Sequence, residues 1–289
     1  MCIRDRTNPS GVDGRGRSVI DILHKSPKVN LVALFGAEHG VDGQVPAGKE
    51  FPNSTHRRTG LPIYSLYGPG PVRKPTPAML KKIDCLVYDI QDTGARSYTF
   101  ISTMGLCMEE CGKAGVEFVV LDRPNPLGGK RVEGLILNPR FKSLVGQWKI
   151  PYVYGMTAGE LAYMISGEGW ISHRPKISII KMKGWKRSMA WTGTGLKWVP
   201  TSPNIPHGDS PLHYAAYMDR VPVAKALLEA GASLEGASHC ADTWGMLPIH
   251  VAADGAKSRQ VSVRGRSLAA PGRPLITNAG RTRSRVDGA

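Results

Sequence analysis

Several signatures that define common enzyme classes are missing from this 289-residue chain. No run of 18 apolar residues is present, so hydropathy gives no membrane-spanning helix. There is no Walker A motif, and Gly68-Pro69-Gly70 does not extend to G-x-G-x-x-G, which argues against nucleotide chemistry. Glu38-His39 does not make HExxH, so a metalloprotease is not indicated. The five cysteines are odd in number and form no regular framework. Cys107 and Cys111 lie four apart on an expected helix with no histidine nearby, and they read as buried thiols rather than zinc ligands. Aromatic residues make up only 7% of the chain, and none falls in the basic tail, residues 257–289. That tail carries eight basic residues against Asp287 alone, +7 of the net charge of +15. With no ring to stack on a base, it does not read as a specific nucleic-acid site.

What is present is an alternation of short apolar runs and helix-like segments. A hydrophobic share of 41% is enough for a globular core. Runs around 31–35, 83–90 and 116–121 read as buried strands of a parallel sheet, and 177–182 and 62–67 as further short strands. Ser18–Lys25, Thr76–Lys82, Ser102–Ala114 and Thr157–Ser166 read as helices. Thr76 is a candidate N-cap, and Thr157 with Glu160 forms a capping-box pattern. The strand–helix–strand order is a right-handed βαβ unit. The opening hexapeptide MCIRDR has no such logic. It resembles a translated adapter leader of metagenomic reading frames and is set aside from the fold. No signal peptide is visible.

Beyond Pro206 the character changes. Ser210–Ala216, Val221–Glu229 and a second PxH near Pro248 outline about one and a fraction ankyrin repeats over residues 207–256, too few to bury a continuous core. The expected organisation is a leader at 1–6, an α/β domain at 7–206, the partial repeats, and a basic tail from 257.

In a parallel sheet ligands bind beyond the carboxyl ends of the strands. Glu38, Asp89, Asp92 and Asp122 all follow apolar runs and are expected to converge on one cleft. Glu38 suits a general acid, since burial at a strand end raises a carboxyl pKa. Its bland role is a bond to a loop amide. His39 either orients Glu38 or satisfies a loop carbonyl. Asp92 and Arg96 could form a structural salt bridge instead of a catalytic pair. Tyr98 could hold a sugar or simply pack. Asp122, Arg123 and Asn125 sit in the stiff turn DRPNP. Several carboxylates in one cleft allow glycoside hydrolysis by a carboxyl pair.

Seven segments occur in one order: TNPSGVD (Thr7–Asp13), LFGAEHG (Leu34–Gly40), GLPIYSLYG (Gly60–Gly68), RKPTPAML (Arg73–Leu80), DIQDTGARSYTFISTM (Asp89–Met104), VVLDRPNPLGG (Val119–Gly129) and VPTSPNIP (Val199–Pro206). Together they resemble the NamZ/YbbC-type exo-β-N-acetylmuramidase family of bacterial glycoside hydrolases. The resemblance implies a Rossmann-like, mainly parallel sheet with flanking helices. It also implies removal of N-acetylmuramic acid from the non-reducing end of peptidoglycan fragments, with no metal or organic cofactor, in a periplasmic or secreted setting.

By the same resemblance Glu38 is the catalytic acid, with Ala37 where the family's GPEHG loop has proline. Asp92, then Asp122, is the second carboxylate. His39, Arg96, Tyr98, Arg123 and Asn125 would bind substrate, with Arg96 or Arg123 pairing with the lactyl carboxylate. Family members normally begin with a strand before TNPSGVD and continue past SPNIP into a second domain. The expectation is therefore a truncated, chimeric chain of low activity that lacks the first strand. The rival reading is an ankyrin-type interaction protein with a non-catalytic α/β scaffold.

Overall fold

The computed structural model describes residues 1–68 and 73–202. The partial ankyrin repeats and the basic tail lie outside the described residues. Seven strands form one sheet: β1 (Cys2–Thr7), β2 (Asn30–Gly36), β3 (Ser54–Thr55), β4 (Pro62–Ser65), β5 (Cys85–Asp89), β6 (Glu117–Leu121) and β7 (Ile177–Ile180). Their order is β3-β4-β2-β1-β5-β6-β7. Every pairing is parallel except β3 with β4. Among the described residues four α-helices flank it: α1 (Val19–Lys25), α2 (Pro77–Leu80), α3 (Thr99–Ala114) and α4 (Ala158–Gly167). The doubly wound parallel architecture agrees with the α/β, Rossmann-like expectation.

One part of that expectation is corrected. The hexapeptide set aside from the fold, and the strand said to be lacking, are one element. Cys2–Thr7 is β1, paired with β2 on one side and β5 on the other. Its place is central, so no sheet edge is left open there. The reading failed because Arg4, Asp5 and Arg6 break the apolar rule for a buried parallel strand. The structure nonetheless buries all three, at 8%, 0% and 0% exposure.

Helix α3 fills one face of the sheet. Phe100, Ile101, Met104, Cys107, Met108 and Cys111 recur at helical spacing and are buried against Leu86, Tyr88, Phe118 and Val120. Cys107 and Cys111 are free, buried thiols, as their spacing suggested. The helix starts three residues before the sequence suggested, because Thr99, Phe100 and Ile101 carry β-branched and aromatic side chains that favour strands in isolation. Gly115, at φ 67°, ends it in the left-handed conformation that glycine adopts without strain.

Helix α4 lies beside α3 and has the full capping box: the Thr157 side chain accepts from the Glu160 amide, and the Glu160 carboxylate accepts from the Thr157 amide. Thr76 likewise accepts from the Met79 amide at the start of α2. The opposite face of the sheet packs Ile3, Leu31, Leu34, Ile63 and Val87 under Ile20 of α1.

Close backbone contact fixes the far end of α3. A β-carbon on Gly112 would lie 2.1 Å from the His173 carbonyl oxygen. Glycine to alanine in an open helix gains up to about 1 kcal/mol. Here the clash reverses the sign, and Gly112→Ala is expected to destabilise by about 1–3 kcal/mol. Urea unfolding of the two proteins measures the difference.

Candidate functional site

The strand order reverses at β1: the chain winds from β1 through β2 to β4, then returns to β5 on β1's other side. Ligands of doubly wound sheets sit at this reversal, beyond the carboxyl ends of the two central strands. The loop after β1 supplies Asn8 and Ser10, and the loop after β5 supplies Gln91 and Asp92. Asn8 Oδ1 accepts from the Ser10 amide at 2.9 Å and from its hydroxyl at 2.5 Å. Ser10 Oγ then accepts from the Gln91 amide at 2.9 Å. The Gln91 side-chain amide donates to the carbonyls of Asp92 and Pro124, both at 2.8 Å. This buried chain of bonds ties the loops after β1, β5 and β6 into one floor.

Glu38 stands at the end of β2, half-buried, with both carboxylate oxygens held. Oε2 accepts from the Thr99 hydroxyl at 2.5 Å, and Oε1 from the Gly48 amide at 3.0 Å. Thr99 is the first residue of α3, so the helix that fills the core also sets the position of this carboxylate. His39 is buried beside it at φ 72°, a left-handed backbone uncommon outside glycine. Its Nδ1 lies 2.8 Å from the Val45 carbonyl and its Nε2 lies 2.9 Å from the Ser202 hydroxyl. With Nδ1 donating to that carbonyl, the neutral ring leaves Nε2 to accept from Ser202. The neighbouring Thr201 carbonyl accepts from Asn8 Nδ2 at 3.1 Å. Thus the segment at 201–202 closes over both Asn8 and His39.

The other acids are differently placed. Asp92 is buried; its Oδ2 accepts from the Gly94 amide and from the Tyr154 hydroxyl, while Oδ1 has no partner. Burial pushes its pKa up to about 6, against the opposing pull of the Tyr154 hydrogen bond. The alternative Asp92–Arg96 ion pair does not form. Arg96 instead donates to the carbonyls of Leu135 and Ile150, at 2.8 and 2.5 Å. Asp122 accepts from the Thr157 hydroxyl at 2.8 Å and the Gly159 amide at 2.9 Å, which fastens β6 to the start of α4. Burial also raises its pKa. Arg123 reaches back to fully buried Asp89, with Nε at 2.9 Å and Nη2 at 2.5 Å.

Asn125 donates to the Met156 carbonyl at 2.9 Å and accepts from the Leu127 amide at 2.9 Å, bracing the DRPNP turn. Tyr98 is the residue just before α3, at its N-cap position.

Two hollows result. A cavity of about 910 Å³ lies over β5, β6 and β7 and takes in Ser10, Asp89, Gln91, Asp122 and Arg123. Neither Glu38 nor Asp92 lines it. The four acids therefore share one edge of the sheet, but not one hollow. Sequence reasoning missed Asn8, Ser10, Gln91, Thr99 and Tyr154. The first three lie inside the motifs TNPSGVD and DIQD, where attention went to the charged residues. Nothing local to Tyr154 announces its bond to Asp92, 62 residues away.

The class defined by this fold and edge is a doubly wound α/β domain with a carboxylate beside its switch-point crevice. Residues 6–209 match the family model for the N-terminal part of exo-β-N-acetylmuramidase NamZ, and the chain belongs to that family. It is similar to the peptidoglycan β-N-acetylmuramidase NamZ of Bacillus subtilis (strain 168), with 48% identity over 210 residues, 73% of this chain and 50% of that protein.

Two crystal structures of DUF1343 family proteins from Bacteroides fragilis NCTC 9343 share the fold. One has 52% identity, a TM-score of 0.69, and coverage of 75% of this chain and 55% of its own. The other has 35% identity, a TM-score of 0.61, and coverage of 73% and 54%. The chain thus spans about half the length of the relatives it matches. Residues 207–238 match the ankyrin repeat model.

The raised Asp92 pKa has a definite consequence for stability. The unfolded carboxyl loses its proton near 3.8, and the folded one near 6. The folded state therefore holds more protons between these values, and stability falls as pH rises from about 4 to 6, by about 3 kcal/mol from this group at 1.36 kcal/mol per unit. Asp92→Asn is expected to flatten that part of the profile. Urea unfolding at half-unit pH steps measures it, and an unchanged slope would show that Asp92 ionises normally.

Proposed function

We propose that this domain carries the acid-bearing side of an exo-β-N-acetylmuramidase site, which releases N-acetylmuramic acid from the non-reducing end of peptidoglycan fragments. The observation that carries the reading is Glu38: a half-buried carboxylate at the end of β2, oriented through both oxygens and placed next to the switch-point floor. Family membership and the name of the B. subtilis relative support the substrate class.

Glu38 protonates the departing glycosidic oxygen, which converts a poor alkoxide leaving group into an alcohol. Asp92 is the second carboxylate of the proposal, since Oδ1 is unclaimed and its pKa of about 6 keeps it responsive near neutral pH. Asp122 serves as a positioning residue, because both its oxygens are engaged at the start of α4. His39 holds the 201–202 segment against the site. The proposed sugar contacts are Tyr98 at the mouth of α3 and the Asn125 turn. Arg96 and Arg123 act mainly by bracing carbonyls and Asp89, and neither guanidinium is unengaged for the lactyl group. The match of residues 207–238 to an ankyrin repeat supports a protein-binding role for that segment, alongside the hydrolase reading.

The test is release of N-acetylmuramic acid from a MurNAc–GlcNAc disaccharide, with the B. subtilis relative as positive control. Glu38→Gln, and its counterpart in the relative, should lower turnover about 10²–10⁴-fold. Undiminished turnover in both would remove Glu38 from the mechanism. No release by this chain, while the relative turns over, would overturn the reading for this chain.

A further inference from the structure

Glu38 is met by a further side chain, Tyr67, which comes from the end of β4. The Leu66 amide donates to the Gly36 carbonyl at 2.9 Å, which lays the residues after β4 beside the end of β2. Tyr67 comes next. Its amide donates to Ser65 Oγ at 3.0 Å and its carbonyl accepts from the Phe51 amide at 3.1 Å, so its backbone is fixed on both sides. The residue is buried, at 6% exposure, and its hydroxyl is hydrogen-bonded to the Glu38 carboxyl group. The Arg73 guanidinium covers the Tyr67 ring, 4.0 Å from its centroid. Arg73 is itself held by the Gly68 carbonyl, 3.0 Å from Nη1, and by Glu50, 3.6 Å from Nη2.

Thr99, Gly48 and Tyr67 thus all act on one carboxyl group. An ionised carboxylate offers about four acceptor positions, and the neutral acid gives one of them to its proton. The three donors therefore fill what a protonated Glu38 leaves, and they leave one position for the proton. Burial, and next the charge of Glu38, raise the Tyr67 pKa above its ordinary value, so the phenol keeps its proton and stays a donor. The guanidinium over the ring draws on the phenol's electron density and strengthens that donor.

We infer that Tyr67, backed by Arg73, is a positioning residue for Glu38, and that its hydroxyl stabilises the carboxylate left when Glu38 gives up its proton. The inference rests on the reading of Glu38 as the acid. In that step the proton passes from Glu38 to the glycosidic oxygen, and the bond from the anomeric carbon to that oxygen breaks with its electron pair going to the oxygen. Water then supplies the hydroxyl to the anomeric carbon, and its remaining proton restores the acid. Negative charge grows on Glu38 as the proton leaves. A hydrogen bond to an ionised acceptor is roughly twice as strong as one between neutral groups. The Tyr67 bond is therefore stronger in the transition state than before it, which is the condition for raising turnover rather than affinity. Tyr67 does this without touching the reacting atoms. It acts only where the departing group needs a proton.

That dependence on the leaving group supplies the test. The full chain and its Tyr67→Phe variant, which keeps the ring under Arg73 and loses only the hydroxyl, are assayed on two substrates. One is the MurNAc–GlcNAc disaccharide, whose sugar alkoxide must be protonated to depart. The other is a para-nitrophenyl N-acetylmuraminide, whose phenolate departs without a proton. The variant should lose about 10–100-fold in kcat on the disaccharide, the size of one hydrogen bond to a charged group, with KM little changed. Its loss on the aryl glycoside should be at least about tenfold smaller. A double-mutant cycle adds a second measurement: Tyr67→Phe should cost little further in a Glu38→Gln background, because the two residues act as one unit. Equal losses on both substrates, a change confined to KM, or losses that add in the cycle would overturn the role of Tyr67 while leaving Glu38 as the acid. Turnover of neither substrate by the unaltered chain would instead remove the hydrolase reading, and the role of Tyr67 with it.

Discussion

The central pairing of β1 with both β2 and β5 is the constraint on which the rest of this structure depends. It fixes where the strand order reverses, and the reversal opens the crevice at the carboxyl edge. Asn8 and Ser10 reach the floor of that crevice only because Thr7 is held against Gly36 and Asp89. The same pairing confines Arg4, Asp5 and Arg6 between two apolar layers. One element therefore organises the site and carries three polar side chains with unpartnered buried atoms into the core.

A second dependence runs through α3. Its apolar stripe is buried against the sheet, which fixes the position of its first turn, and Thr99 in that turn holds Glu38. Packing energy is thereby converted into orientation of a single carboxylate. Trp148 strengthens the link: its indole N–H donates to the Ile101 carbonyl at 2.9 Å, and its ring stacks on Trp170. The acids on the β5 and β6 side answer to different partners. Asp89 pairs with Arg123, and Asp122 accepts bonds at the start of α4, so these two carboxylates hold the loop after β6 and the entry to α4.

Much of this was legible in the chain before any coordinates. The apolar runs located β2, β5 and β6, because a strand buried on both faces has no polar positions to disguise it. Thr157 and Glu160 announced α4, since a capping box is a local bond pattern. Motif order carried the family. The site was only partly legible. Glu38 and His39 stood out as polar residues after a strand, whereas the Ser10 bond to Gln91, the Tyr154 bond to Asp92 and the Ser202 bond to His39 join residues 62 to 163 positions apart.

By itself, the sequence determined the elements with local causes: helices with caps, strands with continuous apolar runs, and the family that their motifs define. Only the tertiary structure decided what each carboxylate is bonded to, because those partners are brought from elsewhere in the chain. It also decided the fate of residues 2–7. Hydrophobicity argued against burying them, but the vacant position between two parallel strands presented unpaired amides and carbonyls on both sides. The backbone's demand for hydrogen bonds took precedence over the side chains' demand for water.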